Sequence, residues 1–213
     1  MEFVKVSPHC GYVESESGLI CPKIGVVSGQ KGTLYFDTGA SLKQLHVLDA
    51  LREENLLKNP ASLVISHFHN DHIANFAYFS SCLVYGSKVT ARYVRVDHLV
   101  GEKTIVDLGE IHPEIVPLPS SHAKGSLILY IPEEKVVYLG DGVYEAVGFD
   151  KPYYDRSLFY EMSQVLKPLK VDHYVFGHET LLNQDNDQGM ADFLEKMAQK
   201  MKAAVGPRLY VDD

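Results

Sequence analysis

The segment Ser66-His67-Phe68-His69-Asn70-Asp71-His72 places four potential metal ligands within six positions. It follows Leu63-Val64-Ile65, a short apolar run, partly β-branched and preceded by Pro60, which predicts a buried strand. Residues two apart on an extended segment point the same way, so His67 and His69 can reach one ion together. Asp71 and His72 come after the backbone has begun to turn. Asp71 is the expected N-cap of a short helix starting near His72, and the adjacent pair is placed for a second ion beside the first. A polar surface turn gives no reason for three imidazoles and a carboxylate at a strand end.

Three further candidates sit at strand ends. His122 lies between Pro117-Leu118-Pro119-Ser120-Ser121 and Gly125-Ser126. Asp141 follows the run Val136 to Leu139 and is flanked by Gly140 and Gly142, which let the backbone turn sharply and approach a ligand closely. His178 follows His173-Tyr174-Val175-Phe176 and Gly177. Each alone reads as an ordinary loop residue; as a series of strand-end His and Asp positions they are far more specific. Imidazole and carboxylate donors without thiolate suit zinc, and also iron or manganese. Two such ions roughly 3.5–4 Å apart can share a hydroxide and lower its pKa toward neutrality, making a nucleophile for a carbonyl or phosphoryl centre. No Ser-His-Asp or Cys-His arrangement is evident.

The elements that must position these side chains follow from periodicity. Phe3 to Val6 and Gly11 to Val13 are weak strand candidates. Ile24 to Val27 and Thr33 to Phe36 form a hairpin across Ser28-Gly29-Gln30-Lys31-Gly32. Ser41 to Leu56 predicts a helix with leucines at 42, 45, 48 and 51, and Ser41 with Gln44 matches a capping box. Cys82 to Tyr85 reads as a strand, Lys88 to Val94 as a helix, and Lys103 to Leu108 with Glu114 to Leu118 as paired strands. Ser126 to Ile131 and Lys135 to Leu139 flank Pro132-Glu133-Glu134 as a second hairpin. Asp155 to Leu166 predicts an amphipathic helix, Asp172 to Phe176 a strand and Asp187 to Ala203 a closing helix. A β-rich half with a helix, followed by a second such half, predicts two stacked sheets with helices outside.

Composition sets bounds. The 213 residues fit a single domain over 1–213, and 46% hydrophobic content supplies a core. The formal charge of −8 and the lack of a basic stripe argue against a long nucleic acid as partner. No apolar run reaches membrane-spanning length and no secretory signal opens the chain, so no membrane partner is expected. Cys10, Cys21 and Cys82 are odd in number and widely spaced, suiting a reducing cytoplasm. A small-molecule substrate is the expected partner, and a homodimer is allowed.

With these residues in place the chain resembles the metallo-β-lactamase superfamily. His-x-His-x-Asp-His is present at His67, His69, Asp71 and His72; the later His, Asp and His appear in order at His122, Asp141 and His178; and Asp37-Thr38-Gly39 matches the Asp-Thr-Gly that ends an early strand in many members. The resemblance implies an α/β (α+β) fold, a four-layer αββα sandwich with a dinuclear metal site in a cleft at one edge. It implies that His67, His69 and His122 bind one divalent ion, zinc first among the candidates. Asp71, His72 and His178 would bind a second, with Asp141 bridging and Asp37 orienting a ligand histidine. Asp71 would also orient the hydroxide and pass a proton to the leaving group.

Departures from the family pattern narrow the activity. Asp141 stands where a β-lactam-hydrolysing subclass has cysteine, and His69 stands where diiron relatives have glutamate. Ile73-Ala74-Asn75 and Ala123-Lys124 replace family loop residues. The retained aspartate is similar to the glyoxalase II and lactonase branches, but with 35 residues after His178 (213 − 178) the glutathione-binding domain of glyoxalase II is not expected. The implied activity is hydrolysis of a small ester, thioester or lactone. The alternatives are a phosphodiesterase on a small phosphodiester and an iron-dependent oxidoreductase similar to the persulfide dioxygenases. Substrate choice is expected to rest on the aromatic segment Tyr144 to Tyr160, which includes Phe149, with Tyr144 or Tyr153 lining the cleft and donating a hydrogen bond to substrate.

Overall fold

The computed structural model describes residues 1–148, 151–204 and 206–211. Phe149 lies outside the described residues. Strands β1 (Phe3–Lys5), β2 (Cys10–Val13), β3 (Ile24–Gly29), β4 (Gly32–Phe36), β5 (Ala61–Val64), β6 (Leu83–Gly86) and β7 (His98–Leu99) form one seven-stranded sheet in sequence order. The first four pair antiparallel and β4 through β7 parallel. A second sheet runs in the order β13 (His173–Phe176), β11 (Val136–Gly140), β10 (Ser126–Ile131), β9 (Glu114–Leu118), β8 (Thr104–Ile105).

The period-2 alternation of side chains assembles these sheets into layers. In β4, Leu34 and Phe36 point into the space between the sheets, while Tyr35 points outward to α1 (Leu42–Glu53). In β10, Leu127, Leu129 and Ile131 face the other sheet, while Ile128 and Tyr130 face α3 (Arg156–Leu166) and α4 (Asp187–Ala203). Three apolar cores result: helix on sheet, sheet on sheet, sheet on helix. This is the αββα sandwich. The hydroxyl of Tyr138, in the middle core, donates to the Gly11 and Val26 carbonyls at 2.9 and 3.3 Å and ties the sheets together.

The capping box forms as the sequence predicts: Ser41 Oγ accepts from the Lys43 amide and Gln44 Oε1 from the Ser41 amide. Leu45, Leu48 and Leu51 are buried and Leu42, at the drifting end of the stripe, is exposed. Asp155 caps α3 through the Leu158 amide instead of starting it. Among the described residues no helix is long and apolar enough to cross a membrane, and the three cysteines are free and buried.

Some expected elements differ. Lys88 to Val94 holds only a 3-10 turn at Thr90–Arg92, because Ser87 Oγ accepts the Thr90 amide and Tyr93 leaves the turn to stack on Phe68. The strand at Lys103 to Leu108 shortens to Thr104–Ile105. A small sheet absent from the sequence reading pairs β12 (Tyr153–Asp155) with β14 (Arg208–Tyr210).

Candidate metal centre

All seven candidate donors project from strand ends at one edge of the sandwich. β5 ends at Val64 and releases the His67–His72 segment; α2 (Asn70–Ile73) follows at once. His122 comes from the turn between β9 and β10, Asp141 follows β11, and His178 follows β13. The donor atoms fall into two groups, His67, His69 and His122, and Asp71, His72, Asp141 and His178, with all atoms of each group within 4.8 Å of one another. In the first, His122 Nε2 is 3.0 Å from His69 Nδ1. In the second, His178 Nε2 is 3.0 Å from Asp71 Oδ2. Asp141 Oδ2 lies between them, 3.4 Å from His122 Nε2, 3.3 Å from His72 Nε2 and 3.5 Å from His178 Nε2.

One sequence expectation about this segment is corrected. The N-cap of α2 is His69, without a side-chain cap, and Asp71 sits inside the first turn. Its carboxylate turns to His178 and so is not available to cap the helix.

Proton bookkeeping shows what the buried rings need. Asp37 Oδ1 accepts the Ser66 amide at 2.7 Å, and Oδ2 accepts both the Ser66 hydroxyl and His72 Nδ1 at 2.7 Å. The Ser66 proton is thereby committed to Asp37, so its oxygen accepts from His67 Nδ1 at 3.0 Å. Burial, then the neighbouring histidines His72, His69, His122 and His178, hold His67 well below the usual histidine range. The ring is therefore neutral with its one proton on Nδ1, and Nε2 carries a bare lone pair. His122 Nδ1 donates to the Glu145 carbonyl at 3.0 Å and likewise turns Nε2 inward. His72 differs: burial opposes its charge, but Asp37 and Asp141 raise its pKa to about 10. For Asp71 and Asp141 burial works against ionisation, yet His178 and His72 respectively hold the carboxyl below its ordinary value.

His67 Nε2, His72 Nε2 and Asp141 Oδ1 are buried side-chain atoms with no hydrogen-bond partner. Unpartnered buried polar atoms are costly and rare. Here they converge with further lone pairs and carboxylates, a set suited to a cation that would displace the proton His72 Nε2 carries between Asp37 and Asp141. The donor set fits divalent metal, and zinc among them by its imidazole and carboxylate character. Asp37, Ser66 and Glu145 fix ring orientation from behind, as groups around ligated histidines commonly do.

The structure brings all seven predicted donors and Asp37 together, but treats the two tyrosines differently. Tyr144 lies against the cluster, its ring centroid 6.2 Å from His122 and 6.5 Å from His178, with its hydroxyl donating to the Glu179 carbonyl. Tyr153 does not line the groove; it stands in β12 with its ring 4.2 Å from the Arg208 guanidinium and packed on Tyr210. A groove reaches His122 and His178 and is lined in part by Leu19, Ile20, Tyr144, Val147 and Leu181. Sequence reasoning missed Ser66, Glu145 and Gly177. Glu145 acts through its carbonyl, which every residue owns and no sequence marks. A Cβ on Gly177 would fall 2.3 Å from Asp141 Oδ1, and a glycine directly before a strand-end histidine was its available signal.

No family model matches the chain. Among curated proteins it is similar to an acyl-coenzyme A thioesterase, MBLAC2, of Gallus gallus, 25% identical over 187 residues, covering 68% of this chain and 66% of that one. The chain therefore spans just under two thirds of the length of that relative. Among solved structures it is similar to a metallo-β-lactamase from Pontibacter korlensis, with TM-score 0.71, 17% identity and coverage of 92% of this chain and 98% of that one. It is also similar to a class B3 di-zinc metallo-β-lactamase from an Alaskan soil metagenome, with TM-score 0.67, 14% identity and coverage of 97% and 95%.

Proposed function

We propose that this chain, which has the metallo-β-lactamase fold, is a metal-dependent hydrolase holding two divalent ions, zinc foremost, and cleaving a small ester, thioester or lactone. One observation carries the reading: buried, unpartnered donor atoms of His67, His72 and Asp141 converge with those of His69, Asp71, His122 and His178 in two adjoining groups. His67, His69 and His122 would hold one ion, Asp71, His72 and His178 the other, with Asp141 shared between them. Ions held by these residues would supply a hydrolytic nucleophile at neutral pH and Lewis acidity toward the bond under attack.

The chain's own groups do the rest. Asp37, Ser66 and the Glu145 carbonyl hold the imidazoles with Nε2 inward. Asp71, its carboxyl held ionised, accepts the proton of the attacking water and delivers it to the leaving group. The Tyr144 ring walls one side of the groove beside His122 and His178, and its hydroxyl, engaged by Glu179, leaves the wall apolar toward substrate. The apolar lining at Leu19, Ile20, Val147 and Leu181 suits an acyl group, and the name of the curated relative favours the thioester among the three classes.

The test is metal analysis of the purified protein together with hydrolysis assays on thioesters, lactones and phosphodiesters. Two equivalents of metal with thioester or lactone cleavage, lost on chelation, is the expected result. A single iron with oxygen uptake would replace this reading with a dioxygenase; the complete second donor group weighs against that outcome.

A further inference from the structure

Three consecutive carbonyls at the end of β13 all accept from one residue of the other half of the molecule. The Lys23 amide donates to Gly177 O at 2.7 Å, and Lys23 Nζ donates to Phe176 O at 3.3 Å and to His178 O. Lys23 immediately precedes β3 in the first sheet; the carbonyls belong to the second. The remaining backbone group of the middle residue is engaged too, since the Gly177 amide donates to Gly140 O at 2.8 Å, next to Asp141. Gly177 thus has one half of the molecule on each side, and its own Cα approaches Asp141 too closely for a side chain.

This matters because the His178 ring, like that of His69, makes no hydrogen bond outside the donor groups among the described contacts. His67, His72 and His122 each make an Nδ1 hydrogen bond that sets their orientation. No such bond holds His178 among the described contacts; its Nε2 meets Asp71 and Asp141, and its ring lies beside those of His72 and Tyr144. Its placement depends on its backbone, and the backbone is gripped by Lys23. Exposed lysines are ordinarily solvated, yet this ammonium is drawn inward. Burial lowers its pKa, and the neighbouring carboxylates Glu14, Asp141 and Glu179 act to retain its charge.

We infer that Lys23 is a positioning residue for His178, holding the 176–178 turn so that the second ion, and not the first, depends on it. This rests on the two-ion reading above. The experiment is a stepwise equilibrium titration of the metal-free protein with cobalt(II) and zinc(II), following absorption and competition with a chelating indicator, alongside thermal denaturation. In Lys23→Met, the first equivalent is expected to bind within about twofold of the unsubstituted protein. The second is expected to weaken by about tenfold or more, the scale seen when groups supporting a ligand are removed. Lys23→Arg, which keeps cationic donors, is expected to recover most of that loss; Lys23→Gln replaces Lys23→Met if the latter fails to fold. Equal weakening of both equivalents, or no weakening of the second, overturns the assignment. An unsubstituted protein that takes up no second equivalent overturns the two-ion reading itself, and the role of Lys23 with it.

Discussion

The Asp37 carboxylate and the His72 ring, 35 positions apart in the chain, meet at 2.7 Å where both side chains are 1% exposed or less. Asp37 does this from a left-handed backbone, φ 62°, at the end of β4, and Thr38 beside it donates its amide and hydroxyl to the His72 carbonyl at 3.1 and 2.9 Å. The turn after β4 therefore holds both the ring and the backbone of His72. Asn tolerates the left-handed conformation, so Asp37→Asn keeps the turn while removing an acceptor. Metal affinity is expected to fall by about 10–100-fold with the fold retained, read by competitive metal titration and circular dichroism.

Asp71→Ala and Asp141→Ala are each expected to reduce kcat on the hydrolysed substrate by roughly a hundredfold or more, the order for losing an electrostatic catalytic element. Near-full activity in either variant would contradict the roles given to them.

Gly177→Ala places a methyl 2.3 Å from Asp141 Oδ1 and 3.1 Å from the Gly140 carbonyl carbon. Overpacking of this kind costs about 1–3 kcal/mol, and Tm is expected to drop by about 2–4 °C per kcal/mol for a chain of this size, with metal uptake impaired. Gly101→Ala, where nothing lies within 4 Å of the added atom, serves as the matched control and is expected to leave both unchanged. Differential scanning calorimetry with and without metal separates them.

Tyr144→Phe removes a hydroxyl already engaged by the Glu179 carbonyl but retains the ring beside the donors. Activity within about threefold is expected, whereas Tyr144→Ala, which removes the wall as well, is expected to raise KM. A large kcat loss in Tyr144→Phe would return the hydroxyl to the role expected from sequence, hydrogen bonding to substrate.

Far from the metal centre, Glu134 accepts from the Ser7 hydroxyl, the His9 amide at 3.1 Å and His9 Nδ1, pinning the β1–β2 turn to the β10–β11 turn. Burial acts to raise its pKa, but these donors outweigh it and the folded value is lowered. Its stabilising effect is therefore complete above the unfolded carboxyl pKa, about 4.3, and is lost as pH falls through the lower folded value. Glu134→Ala is expected to destabilise by about 1–3 kcal/mol at pH 7, with the gap to the unsubstituted protein narrowing below about pH 4. Urea titrations at pH 7 and pH 3 measure it.

The donors were legible in the sequence because their spacing obeys backbone geometry. His67 and His69 share a direction by the two-residue repeat, and each later donor follows an apolar strand. Asp71 as a helix cap was the natural local reading, and it failed because a distant partner, His178, engages the carboxylate. The β12–β14 sheet was hidden for a related reason: Tyr153 and Tyr210 pair across most of the last third of the chain, and Pro152 pointed to a loop. Lys23 carried no signal at all. A lysine after a proline reads as solvated surface until the fold delivers three carbonyls to it.

Each donor is rooted where a strand stops, and the chain between donors travels away from the edge and back. Insertions in those excursions would alter what enters the groove without moving the points of attachment. Exchanging the 17–20 or 180–184 connection, each of which lines the groove and leaves Lys23 and His178 in place, is likewise a route to new substrate preference on an unchanged chemical engine.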